Sequence, residues 1–218
     1  MWNGKRKAIT FSYDDGVRQD IRLVELFNRY GLKATFNLNS GLFGSEARLV
    51  RNGVEIDHIR HCAADVKHIY EGHEVAAHTL THPLLPALAD DHEIVRQVEE
   101  DRLRLSELVG YEVVGFAYPG GGVNNDERVA RLIREQTGAR YARVTETTGN
   151  FALHPDPYRF CGTCYHHVEW EQMWSLAERF LSFSPDEPAL FYIWGHAYEF
   201  DIYPERWAQM EEFCRTIS

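Results

Sequence analysis

Residues 7–39 read KAITFSYDDGVRQDIRLVELFNRYGLKATFNLN, and the order of patterns within them decides the fold class. Lys7 to Tyr13 is a short β-favouring run that stops at Asp14-Asp15-Gly16. Asp20 to Tyr30 carries apolar residues at helical spacing, and Ala34 to Asn39 is a second strand. Strand, loop, helix and strand in this order form a parallel β/α unit.

The alternation continues outward. Gly41, Gly44 and Gly53 mark a loop, and the periodic stretch from Ile56 to Tyr70 predicts a second helix. Glu74 to His78 predicts a third strand. Asp90 to Val109 predicts an amphipathic helix stopped by Gly110. Val113 to Tyr118, Arg140 to Thr145 and Ala189 to Trp194 read as further strands, with helices near Asp126 to Gln136, Glu169 to Phe183 and after Pro204. The segment from Thr145 to His167 is weakly patterned and reads as an insertion lining the site. The expectation is one α/β domain over residues 1–218, and alternation alone leaves a barrel and a doubly wound sheet both open.

Composition narrows the function. The 218 residues are 44% apolar, enough for a full core within one domain. The net charge of −10 repels nucleic acid and anionic membranes, so neither is an expected partner, and Lys5-Arg6-Lys7 reads as a short solvated run. No apolar run approaches the roughly 20 residues that cross a bilayer, and the strand starts too near Met1 for a signal peptide, which predicts a cytoplasmic protein. Four Cys are ordinary for a reduced compartment. Cys161-Gly162-Thr163-Cys164 has redox-like spacing, but no second pair accompanies it, and it reads as structural or loop-lining.

In parallel β/α folds the loops after strand C-termini form the active face. Four such ends are loaded here: Asp14-Asp15-Gly16, His78-Thr79-Leu80-Thr81-His82-Pro83, Tyr118-Pro119-Gly120-Gly121-Gly122 and Gly195-His196. A tight loop could aim His78 and His82 at one ion, and Gly16 permits a break in the pleat that lets Asp14 and Asp15 face one cleft. One Asp with two His makes a three-ligand set with open positions, the arrangement that activates water, and leaves the second Asp free as a base. Alone, the His pair reads as surface decoration, and the Asp pair reads equally as a turn with Asx hydrogen bonds or as a paired site. The other His, at 58, 61, 68, 73, 92 and 154, fall in helical or loop contexts where exposure is the default.

These residues carry a resemblance. Thr10-Phe11-Ser12-Tyr13-Asp14-Asp15-Gly16, His78-Thr79-Leu80-Thr81-His82-Pro83 and Gly195-His196, with Ala34-Thr35-Phe36 between, resemble the ordered motifs of the NodB-like polysaccharide deacetylases over about residues 7 to 200, departing at Ser12-Tyr13. The resemblance implies a distorted (β/α) barrel of about seven parallel strands. It also implies a divalent metal, usually zinc, held by Asp15, His78 and His82. Asp14 is then the general base, His196 the general acid, and the Gly120 N–H a donor to the developing oxyanion.

Two departures follow. Ala117 stands where the family has an Arg that holds the base; Arg143, on the next strand, is the candidate replacement, and a solvated Arg is the alternative. The Asp that pairs with the acid His in the family has no match; Glu199 is one candidate, while Asp201 reads as a cap for the last helix. Tyr118, Trp194, Tyr198 and Glu199 are candidate substrate contacts, whereas Trp170 and Trp174, at helical spacing, read as core. The expected function is removal of an acetyl group from an N-acylated amino sugar. The alternatives are a C–N hydrolase on a small amide or cyclic ureide, an acetyl esterase, or a non-catalytic carbohydrate-binding relative.

Overall fold

The computed structural model describes residues 2–218; Met1 lies outside the described residues. Along the chain run β1 (Lys7–Asp14), α1 (Asp20–Arg29), β2 (Ala34–Leu38), β3 (Glu46–Arg51), β4 (Val54–Ile59), α2 (Ala63–Ile69), β5 (Glu74–Ala77) and α3 (Asp91–Val109). Then follow β6 (Gly115–Ala117), α4 (Glu127–Gln136), β7 (Tyr141–Thr147), β8 (Phe160–Gly162), β9 (Cys164–Tyr165), α5 (Trp170–Ser182), β10 (Ala189–Gly195) and α6 (Glu205–Ile217).

The main sheet has the order β8-β7-β6-β5-β2-β1-β10-β9, and every pairing in it is parallel. Its two ends are one piece of chain. β8 pairs with β7 and β9 with β10, and only Thr163 separates them. Thr163 N–H donates to Tyr192 O at 2.7 Å while Thr163 O accepts from Gly149 N–H at 3.0 Å, so this stretch draws both edges together into a nearly closed barrel. With β8 and β9 counted as one strand, the barrel has seven, as the resemblance implies.

The aromatic side chains of the barrel strands pack against the helices. Phe11 of β1 stacks on Phe27 of α1 with centroids 4.5 Å apart, and Phe213 of α6 meets Phe11 edge-on. Helix ends follow local chemistry: the Asp90 and Asp126 carboxylates accept from the N–H groups of His92 and Val129, and Gly110 closes α3 at φ 82. Pro204 starts α6 as expected.

Three expectations are corrected here. Residues 56–70 are not one helix: Ile56 to Ile59 belong to β4, which pairs antiparallel with β3, and only Ala63–Ile69 is helical. The hairpin turns at Asn52-Gly53, both at positive φ, a two-residue turn whose twist matches its strands. The segment 145–167 lines the site only near its two ends, through Thr145, Glu146, Tyr165 and His167, and its Phe160–Tyr165 part closes the barrel. Lys7 is not a solvated charge: its ammonium donates to the carbonyls of Phe180, Leu181 and Phe183 at the end of α5, where the helix dipole favours a cation.

Candidate active site

The C-terminal ends of the barrel strands and the β3–β4 hairpin surround a cavity of about 730 Å³. β1 ends in Asp14, still extended, and Asp15 then takes φ 82 with its N–H bonded to Asn37 O at 3.0 Å. This left-handed step turns both carboxylates into one cleft, so the break in the pleat sits at Asp15 as well as at Gly16 (φ 66).

Asp14 is buried, and each of its oxygens is accounted for. Arg143 Nη2 donates to both, at 2.5 Å to Oδ2, and Asn37 Nδ2 donates to Oδ1 at 2.7 Å. Burial would raise the Asp14 pKa, but the Arg143 guanidinium, with His78 and His196 nearby, reverses this and holds it below its ordinary value. Arg143 has no exposed surface and its guanidinium lies 4.7 Å from the Trp194 ring centroid. A buried arginine needs a counter-charge, and Asp14 is that charge.

Asp15, His78 and His82 each present one ligand atom, all within 4.8 Å of one another. His78 leaves β5 with its N–H shared between Leu38 O and Asp101 Oδ2, both at 2.9 Å. Its Nδ1–H donates to Ala117 O at 2.8 Å, which leaves Nε2 unprotonated on the site side. Burial pushes His78 down to about 4, so the ring is neutral at physiological pH, the form that binds a cation. His82 sits at φ 60, held by its N–H bond to Thr79 Oγ1, so a tight loop rather than a helical turn places the two rings 4.9 Å apart. One carboxylate and two imidazoles form a donor set that suits zinc, and three protein ligands leave positions open.

His196 adjoins the cluster, with Nε2 3.9 Å from Asp14 Oδ2. Burial opposes its charge, but Glu199, 3.1 Å from Nδ1, pushes it up to about 9. Glu199 is itself buried and held well below its ordinary value, and its oxygens also accept from Tyr165 O–H and from the His196 N–H at 3.0 Å. His166 Nε2 lies 3.1 Å from the same carboxylate. An ionised carboxylate at Asp14 and a protonated imidazole at His196, 3.9 Å apart, can take and give protons beside one donor set.

The remaining expected residues divide. Tyr118, Trp194, Tyr198 and Gly120 line the cavity. Trp194, however, is 5% exposed and clamped between Tyr165, 4.1 Å away in a parallel stack, and Arg143, so it is chiefly a wall. Tyr118 O–H is spent on Tyr158 O. Glu199 lines the cavity as well, with its carboxylate engaged by His196, His166 and Tyr165. Gly120 takes φ 84, and its N–H meets no protein acceptor among the described residues. Asp201 does not cap α6; its oxygens accept from Gln19 Nε2 and Trp207 Nε1.

Two residues were missed by sequence reasoning. His58 of β4 is buried, not exposed, and its Nε2 lies 3.0 Å from Asp15 Oδ2; Arg60 reaches Asp15 Oδ1 at 3.2 Å. Asn52-Gly53 between Val50 and Val54 is the signal that could have found the hairpin that delivers them. His61 and His73 are also buried, whereas His68 and His92 are exposed as expected. Cys161 and Cys164 are free thiols within the closing strand, with Cys164 buried.

The barrel and its Asp-His-His cluster together define a β/α protein with a candidate divalent-metal centre at its strand ends. A model of the family described as polysaccharide deacetylase matches residues 3–142, and the chain belongs to that family. Among solved structures, the deacetylase PplD of Streptococcus pyogenes, in complex with acetate, superposes with a TM-score of 0.54 at 17% identity, covering 69% of this chain and 61% of that one. BA3943 of Bacillus anthracis, a CE4 family pseudoenzyme, gives 0.53 at 14% identity over 96% of this chain and 62% of its own. A family 4 carbohydrate esterase of Streptomyces lividans, in complex with acetate, gives 0.57 at 13% identity over 96% and 86%. At these identities the likeness is one of fold, and the chain spans only about three fifths of the first two. No curated protein matches the chain. Among the described residues no helix is long and apolar enough to cross a membrane.

Proposed function

We propose that this chain is a metal-dependent deacetylase that removes an acetyl group from the nitrogen of an amino sugar, using one domain over residues 1–218. The observation that carries the reading is the convergence of Asp15, His78 and His82 within 4.8 Å, flanked by Arg143-bound Asp14 and Glu199-bound His196. Family membership supports the chemistry.

A divalent cation held by Asp15, His78 and His82, zinc by the character of the donors, would polarise the acyl carbonyl and acidify water at the site. Asp14, kept ionised by Arg143, takes the proton of the attacking water. The Gly120 N–H offers a hydrogen bond to the oxygen on which charge develops. His196, kept protonated by Glu199, gives its Nε2 proton to the departing amine nitrogen. Glu199 and Arg143 are positioning residues, and Tyr118, Trp194 and Tyr198 shape the cavity walls around the sugar.

The test is acetate release from N-acetylglucosamine and its oligomers by the full chain, with and without chelator and with zinc added back. Release that stops with chelator and returns with zinc is expected. Sugar binding with no release under any metal would replace the reading with the non-catalytic one, and release from small amides or acetate esters alone would move it to those substrates.

A further inference from the structure

The β3–β4 hairpin is the part of the cavity wall that the proposed reaction leaves unused. Leu49, Arg51, His58 and Arg60 all line the cavity, so the hairpin turns one face toward the donor set. It is fixed at both ends. Arg18 N–H donates to Ile59 O at 2.9 Å and His61 N–H to Gly16 O at 3.0 Å, tying its base to the residues after Asp15. At its tip Asn52 Nδ2 donates to Tyr203 O–H at 3.0 Å.

This face changes the charge balance of the site. Arg60 lies against Asp15, the single carboxylate of the donor set, and offsets it. Asp14 is matched by Arg143, and Glu199 by His196. The fourth lining carboxylate, Glu146 of β7, accepts from Asn125 Nδ2 at 3.4 Å and has no cationic partner among the described residues. Arg51 is exposed and likewise has no carboxylate partner among the described residues; the one hydrogen bond of its guanidinium goes to its neighbour's carbonyl, Val50 O, at 3.3 Å. Glu146 and Arg51 balance one another, so both charges of a divalent cation at Asp15, His78 and His82 remain without protein counter-charge. A cavity with excess positive charge and an unpaired guanidinium at its wall selects an anion.

We infer that the molecule deacylated here carries an anionic group, a carboxylate or a phosphate, close to its N-acyl group, and that Arg51 receives it. The inference rests on the deacetylase reading for the position of the acyl group. It narrows the substrate class to anionic N-acyl compounds, which neither the donor set nor the fold specifies. Guanidinium recognises both anions through paired N–H donors, so the two sources share one chemistry.

Calorimetric titration of the zinc-loaded full chain tests it without depending on turnover. The probes are N-acetylglucosamine, its 6-phosphate, and N-acetylmuramic acid, which adds a carboxylate to the same sugar. At least one anionic probe is expected to bind ten-fold or more tighter than the neutral sugar, and the one that does identifies the anion. The preference should vanish in Arg51→Ala, reverse in Arg51→Glu and weaken with added salt. Equal binding of all three probes, no measurable binding of either anion, or a preference untouched in Arg51→Ala would overturn it. If the preference holds but no probe is hydrolysed, the deacetylase reading fails and the anion site stands.

Discussion

Arg143 on β7 is the direct parallel partner of Ala117 on β6. A side chain one strand over, at the same height in the barrel, therefore reaches the carboxylate of Asp14. Ala117 contributes only a small buried methyl and the carbonyl that holds His78, which leaves the path from β7 to Asp14 open. Replacing Arg143 by Ala would strand a buried carboxylate, a loss of about 3–5 kcal/mol. The proposed deacetylation should fall by about two to four powers of ten, because the proposed base, Asp14, would be neither oriented nor kept ionised. Arg143→Lys is expected to recover stability better than rate, since an ammonium on a shorter, flexible stem restores the charge without holding one nitrogen against both Asp14 oxygens. Chemical denaturation and steady-state kinetics on the two variants check both.

The donor set and the base are separable. His78→Ala should lose the metal, whereas Asp14→Asn should keep it and lose about two to four powers of ten in turnover, the scale of general base assistance. Elemental analysis of the dialysed proteins reads the difference. Full metal occupancy in His78→Ala would show the donor set to be wrong.

Glu199→Gln tests the acid through its pH dependence. In the native protein Glu199 pushes His196 from 6.5 up to about 9, so kcat should hold through neutral pH and fall as pH rises toward 9. Without the carboxylate the alkaline limb should move to lower pH, leaving less protonated imidazole at pH 7. The pair should also stabilise the fold in a defined window. A raised pKa at His196 gives stabilisation that is fully present below 6.5 and lost as pH rises through about 9. A lowered pKa at Glu199 gives stabilisation lost as pH falls below its ordinary 4.5. The difference in thermal unfolding between native and variant protein should shrink as pH rises through about 9 and as it falls well below 4.5, and pH–rate profiles that superimpose would remove Glu199 from the proposed mechanism.

Gly195 has a steric role that the activity assay alone would not separate. A Cβ there would meet His166 Cδ2 at 1.7 Å, and that ring is stacked on Phe200 with centroids 4.7 Å apart. Gly195→Ala must displace a buried ring and should cost about 1–3 kcal/mol, the range for overpacking. A lower Tm is the expected reading.

Much of this arrangement was legible because strand ends are. Asp14-Asp15-Gly16, His78 to His82 and Gly195-His196 each follow a short apolar run, and a parallel barrel gathers such ends on one face whatever lies between them. Arg143 was legible for the same reason: in a parallel ladder the next strand offers a side chain at the same level. Barrel closure was not, because β8 and β9 each pair with a different neighbour and carry too few residues for an alternation to register. The β3–β4 hairpin was misread because Ile56, Ile59, Val66 and Tyr70 mimic helical spacing across a strand and a helix. Only Asn52-Gly53 spoke against it, and with the hairpin went His58 and Arg60.

His58 supports the last prediction. Its Nε2 lies 3.0 Å from Asp15 Oδ2, while Asp15 Oδ1 accepts from Arg60 at 3.2 Å and lies 3.7 Å from His82 Nε2, so the two hairpin residues between them hold both oxygens of the carboxylate beside the donor set. Such outer contacts fix the direction of a ligating carboxylate, and losing one commonly weakens metal affinity by about 10–100-fold. His58→Ala should therefore bind zinc that much more weakly in competition with a chromogenic chelator. His58→Gln, which can still donate one hydrogen bond to Oδ2, should recover most of the affinity. A role limited to packing against the Tyr198 ring, 5.1 Å away, predicts instead that both variants lose stability and neither loses zinc.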